Sequence, residues 1–425
     1  MLDLRYIKEN LDAVKANIEN RFMDADPEKA AALYDRRKEL IQKAEEKRRE
    51  RNENAKSMKG KMPQEERQKF ITRGKELKEE IAVIEEELST VETDLYAEAK
   101  RIPNMAHPDA PVGKEEKNNL QLRTVGTIPE FSFPAKDHVE LGTSLDVIDF
   151  ETATKVSGTK FYYLKNEGAL LEMALARFAM DILQKRLFTL TITPDIAKEE
   201  IAEGIGFNPR GEESNIYSLE GTGTCLVGTA EITLGGYYAD QVLEEENLPI
   251  RIAGFSHCFR REAGAAGQFS KGLYRVHQFS KVEMFILCKP EDSEKMHQEM
   301  LDIEEEIFTK LDIPYRVVDT CTGDLGAPAY RKYDLEAWMP GRGETGDWGE
   351  VTSTSNCTDY QARRLNIRYK GNEKSEHVHM LNGTAVAVSR AFVAILENFQ
   401  NQDGSVSIPK NLQPYTGFAE IRSKE

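Results

Sequence analysis

Between Gly254 and Phe285 the chain concentrates side chains suited to holding a polyphosphate. They are Arg260, Arg261 and Arg275, the carboxylates Glu262 and Glu283, and the ring of Phe279. An apolar run stops at Arg260-Arg261-Glu262, a small-residue segment follows, and a second alternating run starts at Arg275. That pattern predicts a β-hairpin with a long Gly-rich connection. Side chains alternate along a strand, so Arg260 and Glu262 are expected on one face of the first strand. Arg275, His277, Phe279, Lys281 and Glu283 are expected on one face of the second, with Val276, Val282, Met284 and Ile286 behind them. Guanidiniums offer planar, permanently charged forks to phosphate oxygens. Phe279 offers a purine a stacking face, Glu262 an acceptor for an amino group, and Glu283 a partner for an ammonium. The outer face of an ordinary solvated hairpin would also be charged, so the pattern alone leaves both readings open. The glycines from Gly264 to Gly272 do not form a Gly-x-x-x-x-Gly-Lys-Ser phosphate loop, because Lys271 follows Ser270.

Three further stretches carry candidate chemistry. Gly228-Thr-Ala-Glu231 precedes an apolar helix start and reads as a capping segment. Asp347 to Asp359 is dense in hydroxyls. Its Glu350 and Ser353 offer hard oxygens to Mg²⁺, which takes few carboxylates beside phosphates and water; a hydroxyl-rich strand edge is the plain alternative. From Ala385 to Leu396 an apolar helix contains one charge, Arg390. Burying it requires an anionic partner, either a structural carboxylate or a phosphate.

These residues need a scaffold, and 425 residues suffice for two or three domains with a large core. Apolar residues at 40% and charged ones at 31% indicate a soluble globular chain with an unusually charged portion. There is no run of eighteen apolar residues and no signal-peptide core at the start, so a cytoplasmic location away from membranes is expected. Cysteines 225, 258, 288, 321 and 357 show no Cys-x-x-Cys pair, which argues for buried free thiols and against a disulfide framework or structural zinc. His377-x-His379 fits alternation at a strand end without a metal. The net charge of −16 disfavours nucleic acid only if charge is spread evenly.

It is not spread evenly. Leu2, Leu4, Ile7, Leu11, Val14 and Ile18 predict a short amphipathic helix within residues 1 to 25. Two long charged segments follow, about 28–59 and 64–102, broken at Lys59-Gly-Lys-Met-Pro63. The second has a heptad seam of Phe70, Gly74, Leu77, Ile81, Ile84, Leu88, Val91 and Leu95; the first has a thinner one of Leu33, Leu40, Ala44, Ala55 and Met58. Together they predict an intramolecular antiparallel coiled coil, with each arm reaching roughly 55 Å. Lys43 to Lys78 holds thirteen Lys or Arg against seven Glu, a surplus of six positive charges. A rigid rod with a basic outer half suits a phosphate backbone, although coiled coils carry charge on every exposed position and many bind protein. Residues 103–115, Pro-rich, read as a linker, and 116–425 as a mixed helix-and-strand domain. Within it Leu170–Lys185 has an apolar helical stripe (Leu171, Leu175, Phe178, Ala179, Ile182), followed by a strand ending at Pro194.

Phe259-Arg260-x-Glu262 followed by Arg275-Val-His-Gln-Phe279 and Glu283 resembles motif 2 of the class II aminoacyl-tRNA synthetases, with wording closest to the seryl-tRNA synthetase family. The likeness covers essentially the whole chain. Residues 170–194 resemble motif 1, which implies a homodimer; the Arg390 helix resembles motif 3, although Ala385 and Ser389 stand where the family often has glycine. The implied fold is α+β: a helical tRNA-binding domain (1–102) bearing an antiparallel coiled-coil arm, then a class II catalytic domain (116–425) on a mixed, mostly antiparallel sheet flanked by helices. The implied activity is ATP-dependent activation of L-serine and transfer to tRNA(Ser), with tRNA(Sec) as a further candidate. The resemblance places ATP on Arg260, Arg261, Glu262, Arg275, Val276, Phe279, Glu350, Val351, Thr352, Ser353 and Arg390, of which Arg260, Arg275 and Arg390 are catalytic. It places serine on Thr229, Ala230, Glu231, Arg260, Glu283, Asn382 and Thr384, and Mg²⁺ on Glu350 and Ser353, with no zinc. The arm would grip tRNA through Lys47, Arg48, Arg49, Arg51, Lys56, Arg67, Lys69 and Arg73. Other readings are a related ligase that loads an amino acid onto a carrier protein, an inactive binding paralogue, or a coiled-coil scaffold. The long arm argues against the first, and the retained Arg260, Glu262, Glu350 and Arg390 against the second. The shared expectation is geometric: Arg260, Arg275 and Arg390 should enter one cavity.

Overall fold

The computed structural model describes residues 1–60, 62–208, 215–263, 269–371 and 374–423. Gly264 and Gly267 of the Gly-rich connection and Lys61 of the helix break lie outside them. Backbone contacts divide the chain into two compact units, Met1–Met105 and Ala106–Glu425.

The first unit is all helical. The amphipathic start forms two helices instead of one, α1 (Leu4–Glu9) and α2 (Leu11–Asn20). Asp3 caps α1 by accepting from the Arg5 and Tyr6 amides, and the turn falls at Asn10, whose backbone leaves the helical region. Asn competes with the helix for its own backbone groups, a local effect that apolar spacing does not register. Ile7, Val14 and Ile18 are buried as the spacing required. Asp26 caps α3 (Pro27–Ser57) with Pro27 in the first turn, and α4 (Gln64–Arg101) starts after Pro63. The two pack closely along their length. Leu40, Ala44, Leu77, Ile81 and Leu95 are buried between them. Ala55 is exposed, against expectation. The seam is polar there: Asn54 donates to the Phe70 carbonyl at 2.9 Å, and a Cβ on Gly74 would come within 3.3 Å of the Asn54 amide.

The second unit is built on an eight-stranded sheet. Its strands are β1 (Leu120–Val125), β2 (Thr189–Ile192), β3 (Ile250–Phe259), β4 (Gln278–Cys288), β5 (Tyr315–Asp319), β6 (Arg331–Met339), β7 (Asp347–Asn356) and β8 (His379–Ala387). The spatial order is β1-β5-β6-β7-β8-β4-β3-β2, antiparallel throughout except for the β2–β3 pair. Helices α5 (Asn166–Lys185), α6 (Glu231–Gly236), α7 (Ser293–Lys310) and α8 (Val388–Asn398) flank it. Residues 106–113 pack with this unit: the His107 amide donates to the Tyr330 carbonyl, and Thr322 to Pro111.

Alternation along β4 sets the layers. Val282, Met284 and Ile286 enter one core with α5, α7 and α8, while Phe285 and Leu287 enter a second core with α6. Lys281 and Glu283 belong to the same face as Phe285, at the end where the second core gives way to a cavity. All five cysteines are buried free thiols. Two elements start later than apolar spacing implied. The first strand of the hairpin ends at Phe259 and the second begins at Gln278, so Arg260, Glu262 and Arg275 lie outside the strands. Helix α8 begins at Val388, leaving Ala385 in β8. Among the described residues no helix is long and apolar enough to cross a membrane.

Candidate active site

A cavity of about 140 Å³ opens at the ends of β4, β7 and β8. Arg260, Arg275 and Arg390 all line it, together with Glu262, Val276, Phe279, Glu350, Val351, Thr352, Ser353, Thr229, Glu231, Glu283, Asn382 and Thr384. Four consecutive residues, 350–353, reach it although a strand normally alternates. The register against β6 shifts between Leu335 and Glu336, a bulge that breaks the alternation at Val351. The β4–β8 register also shifts, between Val282 and Glu283, and pairs Glu283 with Thr384.

Two expected residues do not reach the cavity. The Arg261 side chain is exposed, and its amide donates to the Asn215 carbonyl at 3.0 Å; next to an inward Arg260, it points away. Ala230 is fully buried beneath the wall as the N-cap of α6, packed against Gly254 in the second core. His277 leaves its expected face as well, because it precedes the strand. Its Nδ1 donates to the Arg260 carbonyl at 2.9 Å, and its ring packs near Phe161 and Tyr217. Val276, which alternation put on the oily wall and the family resemblance on ATP, lines the cavity for the same reason.

The three guanidiniums differ in their partners. Arg275 pairs with Glu262 at 3.2 Å, and Arg390 with Glu350 at 3.1 Å. Arg260 has no carboxylate partner among the described residues; its Nε donates to the Gly228 carbonyl at 3.1 Å and its guanidinium lies 5.4 Å from the Phe279 ring centre. Among the described residues, Arg260 is therefore a strong cation left for a ligand. Glu262 has φ +50°, a left-handed backbone unusual for a residue with a Cβ, in the turn from which its carboxylate meets Arg275. Burial pushes the Glu350 carboxyl up, but the charges of Arg390 and Lys332 outweigh it and hold the group near about 2. It is an anion at any physiological pH.

Two further carboxylates, Glu231 and Glu283, line the cavity without an arginine partner among the described residues. Glu231 accepts from Gln361 at 2.7 Å and Asn382 at 3.0 Å. Burial, reinforced by the charge of Glu283, pushes its carboxyl up to about 7. Thr384 donates to Glu283 at 3.2 Å, and Lys281 reaches both Glu283 (2.5 Å) and Thr229 (2.7 Å). Phe207, Tyr274, Lys281, Ala387 and Ser389 also line the cavity without having been expected there. Tyr274 lies under Arg390 at 4.8 Å and donates to the Glu350 carbonyl at 3.3 Å; its place next to Arg275 was the available signal. Lys281 sat on the charged face of the hairpin. Nothing local marked Phe207. Ala385 is buried in β8, whereas Ser389 does face the cavity. Among the described residues no three His, Cys, Asp or Glu side chains cluster for a metal.

In the helical unit the eight arm residues separate into two kinds. Arg73 bonds Glu50 (2.6 Å), Glu80 (2.8 Å) and Glu76 (3.1 Å); Lys47 bonds Glu80 (2.7 Å) and Arg48 bonds Glu85 (2.8 Å). Arg73 and Lys47 thus tie the two helices together across the polar part of the seam, a role that composition could not separate from ligand binding. Arg49, Arg51, Lys56, Arg67 and Lys69 are exposed and have no ion pair among the described residues.

Residues 218–399 match the class II core domain of the tRNA synthetases for Gly, His, Pro, Ser and Thr, and residues 1–106 match the seryl-tRNA synthetase N-terminal domain. A serine--tRNA ligase of Treponema denticola is 63% identical over 422 residues, covering 99% of this chain and 100% of that protein. The enzyme of that name from Borrelia recurrentis is 57% identical, with both chains fully covered. Among solved structures, the seryl-tRNA synthetase of Pyrococcus horikoshii complexed with ATP superposes with a TM-score of 0.91 at 39% identity, both chains fully covered. With an N-terminal and a core domain both matched and such identity along its full length, the chain belongs to the seryl-tRNA synthetase family.

Proposed function

We propose that the cavity joins L-serine to ATP as seryl-adenylate, and that the seryl group then passes to the 3′ end of tRNA(Ser). The observation that carries this is one cavity lined both by three guanidiniums and by two buried carboxylates with hydroxyls and an amide. A polyphosphate and an amino-acid ammonium are the complementary ligands.

Serine's carboxylate attacks the α-phosphorus and pyrophosphate leaves; the terminal tRNA hydroxyl then attacks the seryl carbonyl and AMP leaves. Neither step requires a protein nucleophile, so catalysis is positioning and charge stabilisation. Arg260, without a carboxylate partner among the described residues, is assigned to the α-phosphate, where negative charge grows. Arg275 and Arg390 exchange their carboxylate partners for the γ-phosphate. Phe279 stacks on adenine, Glu262 accepts from its amino group, and Val276, Val351 and Thr352 complete the wall. Arg261, pointing outward, has no such role. Thr229, Glu231, Glu283, Asn382 and Thr384 surround serine, with Ala230 only supporting them. The Thr384–Glu283 pair receives the serine hydroxyl. Alanine would leave those groups unmatched, a strong basis for its rejection. Glu350 and Ser353 fit Mg²⁺: one carboxylate held ionised and one hydroxyl face the same cavity, the small donor set this ion takes beside phosphates. Bound there, Mg²⁺ would neutralise phosphate charge.

The arm is the natural tRNA-binding element, through Arg49, Arg51, Lys56, Arg67 and Lys69. We assign the cytoplasm as its location and a second copy of the chain as its partner. Leu170, Met173, Leu187 and Ile192 on and beside α5 and β2 leave a large apolar surface exposed, which supports a homodimer. A carrier-protein ligase is not favoured, given the seryl-specific N-terminal match.

ATP–pyrophosphate exchange measured across the amino acids, followed by charging of tRNA(Ser) and tRNA(Sec), tests the assignment. Exchange should depend on serine without tRNA, and tRNA(Ser) should be charged. Exchange that is strongest with another amino acid would overturn it.

A further inference from the structure

Lys281 lies on β4 with 4% of its surface exposed, and its ammonium stands 2.5 Å from Glu283 Oε2 and 2.7 Å from Thr229 Oγ1. A buried ammonium is unfavourable unless it is paired and hydrogen-bonded. Here both partners belong to the end of the cavity assigned to the amino acid. Thr384 donates to the same Glu283 oxygen at 3.2 Å, which leaves Oε1 for a donor from the cavity. Glu231, the other carboxylate there, is pushed up by burial and by Glu283, while the Gln361 hydrogen bond and the charges of Lys281 and Arg260 act against that rise. Two carboxylates in a dry site do not both stay ionised without counter-charge. Facing Lys281 are Ser256 and buried Cys258 on β3, Arg260 beyond its end, Thr229 and Glu231 at the start of α6, and uncharged Ala387 and Thr384 on β8.

We propose that Lys281 is a positioning residue for the amino-acid substrate: its ammonium fixes the Glu283 carboxylate and the Thr229 hydroxyl in the orientation that receives the substrate's ammonium and hydroxyl, and supplies the counter-charge that two neighbouring carboxylates need. The inference rests on the serine reading of this cavity. In the empty site Lys281 is the cation on Glu283; with serine bound it remains the counter-charge while Glu283 and Thr384 take the hydroxyl and Glu231 takes the ammonium.

The test is ATP–pyrophosphate exchange by full-length Lys281→Met, Lys281→Gln and Lys281→Arg, with serine and ATP varied separately. In Lys281→Met the serine KM should rise at least about tenfold at about pH 6.5 while the ATP KM changes less than about twofold, and the serine deficit should shrink by about pH 8. The sign follows from the charges: without the cation the Glu231 carboxyl, already pushed up by burial and by Glu283, ionises only at still higher pH, and only its ionised form holds an ammonium. Lys281→Gln keeps a donor without charge and should show the same pH slope with a smaller deficit. Lys281→Arg keeps the charge and should flatten the slope. If Lys281→Met does not fold by circular dichroism, the Gln and Arg pair decides on the same readouts. Serine and ATP KM values rising together in Lys281→Gln, or a deficit independent of pH, would overturn the proposal. Wild-type protein that fails to exchange with serine would sink the serine reading itself, a separate result.

Discussion

Arg260 is distinguished by what it lacks. Arg275 and Arg390 each meet a carboxylate in the empty cavity, whereas among the described residues Arg260 meets the Gly228 carbonyl and the Phe279 face but no carboxylate. Removing a group aimed at developing charge costs on the order of 10²–10³ in rate. Arg260→Ala should therefore lose pyrophosphate exchange by at least that factor with an unchanged circular dichroism spectrum; near-normal exchange would refute its assigned role. His297 illustrates a different residue-scale effect. It is buried against Tyr333, donates to the Thr354 carbonyl at 3.0 Å, and burial depresses its ring to about 4 from the usual 6.5. Its folded-state value lies below the unfolded one, so as pH falls through 6.5 the unfolded chain binds a proton first. Stability drains away between about pH 6.5 and 4, by about 3 kcal/mol from this residue if the full shift is realised. Urea midpoints across that range should fall less steeply for His297→Gln, which keeps the donor but cannot titrate. Parallel slopes would mean that His297 is not buried as a neutral ring.

At the scale of elements, the two helices of the arm divide their cations between structure and surface. Arg73 bridges to Glu50 of the facing helix and Lys47 to Glu80, where apolar seam positions run out. Arg49, Arg51, Lys56, Arg67 and Lys69 do no such work. Converting these five to Gln should raise the KM for tRNA in charging by about tenfold or more and make its salt dependence shallower, since fewer phosphate counterions are released. Serine-dependent exchange should not change. Equal tRNA KM values for variant and parent would remove the arm's outer face from tRNA recognition. The heptad seam made the coiled coil legible because a 3.5-residue repeat is a local signal carried on many residues. The Arg73 and Lys47 pairs were not legible, since a cation that serves a helix partner and one that serves a ligand have the same composition.

For the whole molecule, the helical and sheet units each have their own buried residues and divide at Met105. The residues assigned to serine activation all belong to the second. Deleting residues 30–100 should accordingly abolish tRNA charging while leaving exchange with serine within about threefold of the parent, because no group assigned to the adenylate step is lost. A truncated protein that still charged tRNA normally would give the arm another purpose.

What the sequence determined by itself was everything that spacing expresses over short range: the coiled coil, the apolar stripe of α5, the two faces of β4, and the motifs that carry Arg260, Glu262, Glu283, Glu350 and Arg390. Only the tertiary structure decided which of these side chains share a cavity. Strand ends at Phe259 and Gln278 turned His277 away and brought Val276 in, and a bulge at Val351 and a register shift beside Glu283 set which residues of β7 and β8 reach the cavity. The physical reason is that periodicity fixes the side of an element a residue occupies, whereas strand termini, bulges and pairing register depend on hydrogen bonds to partners a hundred residues away.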